Sequence, residues 1–347
     1  MKLAIDCRYL GNSGIGRVNQ GFLENLASYR DQVDFVFLGD PEALKLFSAL
    51  GDIVPVSSNP FSPKGLFLPK DAKKAVKQCD AFLSIGYIAP FGTRKPRYLF
   101  IHDCVFFDVP EATNGFLDKT IKRFFYKRAI RQAKTIFTVS NFSKERLVSL
   151  FKTKKPIEVV YNGVSADTDR YQGGEPTRDY FLYVGNFKKY KGLDVLLEAH
   201  ALYRKNGGSL PLVIVGKEEG LRTSFHLEPN QLDGVRLTGY LKDEELLRYI
   251  YNAYCLVQPS RYEGFGIPPL EAMTLGTPCL LSDIQVFREV YGDAPVSFFK
   301  DGDAKDLEKA LWKKPSYSKE EFQKWNAPSF KGLTDKVMAT ILGGAEK

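Results

Sequence analysis

Residues Ser260–Glu271 read SRYEGFGIPPLE, and their reading decides the fold because they set a glycine-punctuated loop directly in front of a helix. Upstream, Tyr254–Pro259 (YCLVQP) is a short apolar run of strand character. Downstream, Pro268 and Pro269 suit a first helical turn, whose amides have no intrahelical partner to lose, and Gly276 is the expected stop. Gly264 and Gly266 let the backbone approach a ligand with no Cβ in the way. The free N–H groups at the helix start carry partial positive charge, so this corner suits an anion such as a diphosphate. Two carboxylates frame it: Glu263 in the loop and Glu271 about one turn inside the helix, one placed to face a bound sugar and the other a ribose or neighbouring hydroxyl.

Two glutamates separated by seven residues occur by chance in any Glu-rich chain, so the spacing alone says little. The dressed motif is specific, since Glu263, Gly264, Phe265, Gly266, Ile267, Pro268 and Glu271 must agree together. In these residues the sequence resembles the family 4 retaining glycosyltransferases of the GT-B fold, whose signature is such a glutamate pair around a GFG[IL]-P core. The resemblance implies an α/β architecture of two Rossmann-like domains facing across a cleft, with a C-terminal helix returning to the N-terminal domain.

At 347 residues the chain suits two domains of ordinary size, and 44% hydrophobic with 26% charged residues are globular values. A net charge of +8 calls for a polyanionic partner: a nucleotide sugar, a phosphorylated lipid, an anionic membrane or a nucleic acid. With no zinc-finger spacing, aromatic-basic RNA signature or basic tail, nucleic acid is the weakest of these and is not expected. The five cysteines, Cys7, Cys79, Cys104, Cys255 and Cys279, are scattered and form no CxxC pair, which points to a reducing compartment and away from a metal cluster. Asp6 and Arg8 interrupt MKLAIDCRYL where a secretory signal needs an apolar run, and no stretch approaches about 18 apolar residues. The expectation is a cytoplasmic protein, peripheral at the inner face of the membrane if its basic segments dock there.

Lys2–Asp6 (KLAID) predicts a first strand, followed by a loop with Gly11, Gly14 and Gly16 and a helix burying Phe22, Leu23 and Leu26. Taken alone, this is equally a tight turn between strand and helix. The segment GNSGIGR resembles the family's first loop, whose glycines approach the donor phosphates and transferred sugar, which assigns Gly14 and Gly16 to the donor with Arg17 beside them. Strand-like runs recur at 33–38, 53–56, 81–85, 98–102, 135–140 and 157–161, several separated by helix-length segments. That alternation argues for a mostly parallel, doubly wound sheet, in which ligands sit outside the carboxyl ends of the strands. Three such ends carry polar residues: His102 with Asp103, Ser140 with Asn141, and Asn162 with Gly163.

His102 is one of three histidines and closes the apolar run RYLFIHD, a setting in which a neighbouring carboxylate, here Asp103, often holds the ring. The resemblance implies instead that His102 contacts the donor sugar near the reacting carbon, with Asp103 and Ser140 on the acceptor or sugar side. His200 and His226 read as surface or packing residues. Between Lys119 and Lys134 lies TIKRFFYKRAIRQA, with Ile121, Phe124, Phe125, Ala129 and Ile130 on helical spacing and no acidic residue. It reads as a helix covering the sheet with a solvated basic face; docking on an anionic membrane, at about 1 kcal/mol per basic residue, is the alternative. A second basic run, Lys64 to Lys77, adds to that alternative.

Tyr171–Asp179 (YQGGEPTRD) is polar and rich in breakers, the expected linker between an N-terminal acceptor-side domain over 1–170 and a nucleotide-sugar-binding domain over 180–325. In the latter, Tyr180–Gly185 (YFLYVG) predicts a strand, and a basic loop through Asn186 leads into an amphipathic helix. Lys191 precedes Gly192 where an ammonium and the helix dipole act together on a β-phosphate. The family often has Arg in place of Asn186; a neutral amide supplies no bidentate charge, which shifts the burden to Lys188, Lys189 or Lys191. Strands continue at 210–215, 235–240, 255–258, 278–282 and 295–299. The amphipathic segment from about Phe322 to Leu342 resembles the helices that in GT-B proteins cross back to brace the first domain, so 326–347 is assigned to that return.

The resemblance implies retaining transfer of a sugar from a nucleoside-diphosphate donor to a hydroxyl of a glycan or lipid-linked glycan, in cell-surface polysaccharide assembly. Breaking the sugar–phosphate bond loads negative charge onto the diphosphate, so fixed donors there matter more than a strong base. Lys191, Asn186 and amides around Gly14 and Gly266 would supply them, with Gly185 also on the donor, Glu263 on sugar hydroxyls and Glu271 on the ribose. No DxD-type motif is placed to hold a metal, and the resemblance implies metal independence and no cofactor. Retaining hydrolases use two carboxylates about 5 Å apart, and no partner carboxylate is evident here; the resemblance implies a front-face route, in which the leaving phosphate itself deprotonates the acceptor. Three other readings stay open: a sugar-phosphorylase-like enzyme, a nicotinamide oxidoreductase lacking a clear acidic residue about 20 positions beyond its glycines, and a non-catalytic nucleotide-sugar-binding subunit.

Overall fold

Strands in which every residue is buried, such as Leu212–Val215 and Cys279–Ser282, need cover on both faces, which helices flanking a parallel sheet provide. In the computed structural model, which describes residues 1–347 apart from 12, 89, 94, 217–231, 314, 316, 318 and 346–347, such runs build two sheets. The first contains β1 (Lys2–Asp6), β2 (Asp34–Gly39), β3 (Gly51–Pro55), β4 (Ala81–Ser84), β5 (Arg97–Phe100), β6 (Ala133–Thr138) and β7 (Ile157–Val159), in the order β3-β2-β1-β4-β5-β6-β7. The second contains β8 (Phe181–Val184), β9 (Leu212–Val215), β10 (Val235–Gly239), β11 (Cys255–Gln258), β12 (Cys279–Ser282) and β13 (Ser297–Phe299), in the order β10-β9-β8-β11-β12-β13. Every ladder between these strands is parallel, with Leu3 opposite both Phe35 and Ala81, and Phe181 opposite both Leu212 and Cys255. Strand order reverses once in each sheet, between β1 and β4 and between β8 and β11, and such reversals are where doubly wound folds bind ligands.

The chain divides into two units, one of residues 1–108, 113–163 and 328–347, the other of 109–112 and 164–327. The stretch read as a linker belongs to the second: Arg178 donates to the carbonyls of Ala253 at 2.7 Å and Gly276 at 2.9 Å and to Thr277 Oγ1 at 2.9 Å. Breaker-rich composition marks that stretch as irregular, but not as detached. In the first unit the last helix, Phe330–Ala345, lies on the helix Ser13–Glu24, where Gly21 leaves room for the Phe330 ring and Tyr29 donates to Asp335 at 2.8 Å. A shorter helix, Lys319–Lys324, precedes it, so the single amphipathic segment read from the sequence is two helices broken near Pro328.

Two further readings change. The first helix begins at Ser13, so Gly14 and Gly16 sit in its opening turns and not in a loop, with Gly16 against the Tyr9 carbonyl, where a Cβ would come within 2.9 Å. The basic helix Gly115–Gln132 covers the sheet only with its second half: Tyr126, Ala129 and Ile130 pack with Leu99, Ile101 and Ile136, whereas Ile121 and Phe124 are exposed. All five cysteines are buried and none forms a disulfide among the described residues, and His200 is a packing residue whose Nε2 lies 3.1 Å from the Leu210 carbonyl. His226 lies outside the described residues.

Candidate functional site

The reversal between β8 and β11 brings together two loops that are far apart in sequence. After β8 the chain turns through Gly185 and the exposed Asn186, whose carbonyl accepts from the buried Tyr183 hydroxyl at 2.9 Å. A single turn over Lys189–Lys191 then ends at Gly192, which has a φ of +68° and starts the helix Leu193–Lys205. Gly192 rests on the end of β11 so closely that a Cβ would stand 1.8 Å from the Pro259 carbonyl oxygen. Only glycine satisfies both the left-handed backbone and that approach. The two loops are also tied at Arg261, whose amide donates to the Tyr190 carbonyl at 2.9 Å and whose guanidinium meets Asp194 at 2.8 Å.

This approach delivers Lys191 to Glu263. The ammonium lies 2.7 Å from Glu263 Oε2, with the side chains 16% and 9% exposed, and Oε1 accepts from Ser260 Oγ at 2.8 Å and Gln258 Nε2 at 3.4 Å. Ser282 donates to the Ser260 carbonyl at 2.5 Å, fixing the loop from the next strand. The Glu263 carboxylate is thus held on both oxygens, and a pair this enclosed depends on both partners, since removing one commonly costs about 3–5 kcal/mol. The Tyr183 hydroxyl has its pKa raised by burial and secondarily by the Glu263 charge. Directly after Glu263, Gly264 and the buried Phe265 lead to Gly266, whose φ of +93° turns the chain into the helix Ile267–Thr274, with Pro268 and Pro269 in its first turn. The Gly266 carbonyl accepts from the Tyr291 hydroxyl, and Phe287 fills the space where a Cβ would go. Glu271 is buried one turn into that helix, and Gly276 caps its end at a φ of +72°.

In the first unit, Gly14, Gly16 and Arg17 follow β1, beside the reversal, and His102 lies two residues beyond β5. His102 Nε2 is 3.0 Å from the Ile85 carbonyl just past β4; a carbonyl only accepts, so the proton is on Nε2 and Nδ1 is left as an acceptor. Burial lowers the pKa of the ring against the opposing effect of that hydrogen bond, which keeps it neutral. Asp103 does not hold the ring: its Oδ1 accepts from the Val105 amide at 2.9 Å. Ser140 caps the helix Asn141–Phe151, accepting from the Ser143 amide at 3.1 Å, and Ser143 Oγ in turn donates to the His102 carbonyl at 3.0 Å. Both residues therefore shape the loops around His102 with their side chains. Asp6 and Arg8 form a second buried pair at 2.7 Å, and Arg8 also donates to the Gly65 carbonyl at 2.7 Å, bracing the turn after β1.

Sequence reasoning missed Gln258 and, though it named Ser260 and Gly192, gave neither a role. The hydroxyl three residues before Glu263 at a strand end and the glycine after Lys191 were the available signals. Among the described residues no group of three or more His, Cys, Asp or Glu side chains is placed to hold a metal ion.

Two family profiles match the chain in tandem, "Glycosyltransferase Family 4" over residues 12–168 and "Glycosyl transferases group 1" over 165–314. The chain belongs to the family 4, group 1 glycosyltransferases. Similar relatives of this family 4 chain include the O-antigen chain mannosyltransferase RfbU of Salmonella typhimurium, 32% identical over 198 residues, covering 55% of this chain and 53% of that one. The O-antigen chain mannosyltransferase B of Escherichia coli is 30% identical over 213 residues, 56% of this chain and 54% of its own. The chain thus spans about half the length of these curated relatives. Among solved structures, the Anabaena Alr3699/HepE crystal structure with UDP and glucose superposes with a TM-score of 0.75 at 16% identity, covering 99% of this chain and 100% of that one. The Thermosynechococcus elongatus sucrose-phosphate synthase gives 0.71 at 16% identity with the same coverage. The fold is GT-B, as the glycine-glutamate motif implied.

Proposed function

We propose that this chain transfers a sugar from a nucleoside-diphosphate donor to a hydroxyl of a glycan or lipid-linked glycan, with retention at the anomeric carbon, in cell-surface polysaccharide assembly. The observation that carries the reading is the 2.7 Å pair of Lys191 and Glu263, set at the reversal between β8 and β11 and in front of the Gly264–Gly266 turn. The O-antigen mannosyltransferases among the sequence relatives, and the UDP and glucose bound to HepE, support the substrate class.

As C1–O cleavage proceeds, negative charge grows on the β-phosphate and positive character on the sugar ring. Lys191 spends one N–H on Glu263 and has two left for phosphate oxygens, and the helix start after Gly266 adds the Ile267 amide, Pro268 and Pro269 having no N–H to give, and the positive end of a dipole. Glu263, immobilised by Lys191, Ser260 and Gln258, accepts hydroxyls of the transferred sugar, and Glu271 accepts those of the ribose. Gly185 offers close backbone approach to the donor, and Asn186 an amide to its phosphates. The departing phosphate oxygen takes the acceptor proton as the acceptor oxygen bonds to C1 on the same face, which gives retention. Written this way, the step draws its positive charge from Lys191 and backbone dipoles, with no metal and no cofactor beyond the donor. A cytoplasmic site of action, where nucleotide sugars are made, belongs to the same reading.

The test is a panel of nucleotide sugars scored for thermal stabilisation and then for release of nucleoside diphosphate. A cognate donor at a hundredfold over its Kd should stabilise by about 2.7 kcal/mol. Glu263→Gln should lower turnover by roughly 10²–10³, the scale of losing one fixed electrostatic contact, and Lys191→Met should weaken donor stabilisation. Normal turnover and donor binding in Glu263→Gln, or stabilisation by no nucleotide sugar, would overturn the proposal. Phosphate-dependent release of a sugar phosphate would favour a phosphorylase instead.

A further inference from the structure

The helix Gly115–Gln132 and the loop after the helix Asn141–Phe151 leave one face of the first unit both apolar and basic. Phe116, Leu117, Ile121 and Phe124 are 87%, 72%, 47% and 58% exposed, and at about 3.6 residues per turn Leu117, Ile121 and Phe124 stack along one side of the helix. Four large apolar side chains in a row facing water mark a contact surface rather than ordinary scatter. One and two turns further along the same side come Lys127 and Arg131. With Lys154 and Lys155 they line a cavity of about 480 Å³ whose apolar wall is Ile130 and Phe151, and no carboxylate lines it. Other cations of the helix are already engaged: Lys122 with Asp118 at 2.5 Å, and Arg123 with the Leu150 carbonyl at 3.1 Å.

We propose that this face docks on an anionic phospholipid bilayer, the stripe from Phe116 to Phe124 entering the interface while Lys127, Arg131, Lys154 and Lys155 gather lipid phosphates at the cavity. Apolar side chains running directly into a cationic end fit a surface that is hydrocarbon just below a layer of phosphates. A free anion would use the cavity and leave the stripe in water. A second copy seated stripe on stripe would bring two basic cavities towards each other, which like charges oppose. No helix among the described residues is long and apolar enough to cross a membrane. The proposal does not rest on the transferase reading, because it is measured without donor or acceptor.

The experiment is co-sedimentation of the full chain with vesicles of phosphatidylcholine alone or mixed with phosphatidylglycerol. Binding should favour the anionic vesicles by tenfold or more and collapse in molar salt, where the Debye length is about 3 Å. The pair Phe116→Ser, Phe124→Ser should cut binding at least tenfold. The pair Lys127→Gln, Arg131→Gln should lower it roughly fivefold per charge and erase the anionic preference. All four positions are at the surface, so melting curves should match the parent. No recruitment, recruitment indifferent to both pairs, or capture of free glycerol phosphate without vesicle binding would each overturn the proposal. So would a dimer in sedimentation velocity that the serine pair dissolves.

Discussion

Replacing Gly192 with alanine tests how the candidate site is assembled, because the perturbation lies beside the functional residue and not on it. A Cβ at Gly192 would stand 1.8 Å from the Pro259 carbonyl oxygen, and contacts below 3.0 Å do not persist, so the loops must part by about 1.2 Å (3.0 − 1.8). Lys191 moves with that displacement and leaves Glu263. A misplacement of about 1 Å costs on the order of a hundredfold in rate, which is the expected loss in nucleoside-diphosphate release. The left-handed backbone, at a φ of +68°, adds about 1–2 kcal/mol of strain. For a unit of this size each kcal/mol lowers the melting temperature by about 2–4 °C, so the backbone contribution alone is a fall of roughly 2–8 °C. Gly207 supplies the control: its φ is +97° but nothing lies within 4 Å of its Cβ position. Gly207→Ala should therefore show comparable backbone strain with unchanged turnover. Equal turnover in the two variants would refute the argument that close approach at Pro259 positions Lys191.

Stability should also fall on mild acidification. His102 and His200 are both held below the ordinary 6.5 by burial, so the unfolded chain takes up protons near that value while the folded chain resists until lower pH. Above about pH 7.5 neither ring contributes, and as pH drops through 6.5 the melting temperature should decline; His102→Asn should remove part of the slope and leave the share of His200, and a flat profile between about 7.5 and 5.5 would contradict the burial account. In the first unit, Gly21→Ala places a methyl 2.1 Å from the Phe330 ring and should cost about 1–3 kcal/mol by overpacking. In a denaturation cycle with Phe330→Ala the double variant should cost less than the sum of the singles, and strict additivity would mean that the ring does not pack there.

The strands were legible because their apolar runs are buried on both faces and bounded by breakers: Lys2–Asp6 and Cys255–Gln258 are found as read. The run read as ending at His102 overshot, since β5 stops at Phe100 and the apolar Ile101 continues past the ladder. Helical spacing revealed the apolar positions of Gly115–Gln132 but not that its first half extends beyond the sheet, because periodicity shows that a face exists and says nothing of what covers it. At the candidate site, Lys191 and Glu263 each stood out within a local motif. Their pairing, and the support from Ser260 and Gln258, depend on two loops meeting at the ends of β8 and β11, a tertiary contact that local patterns do not carry.

The division of the chain bears on the order in which it becomes structured during synthesis. The second unit draws almost all its residues from one uninterrupted stretch, 164–327, whereas the first needs 328–347 to complete it. The half translated first is therefore the half finished last: until the final helix leaves the ribosome, Gly21 and Gly163 present bare seats for Phe330. A nascent chain halted just after Ala327 would hold a closed carboxyl-side unit behind an amino-side unit still waiting for its latch, and would be the natural substrate for a chaperone or a protease.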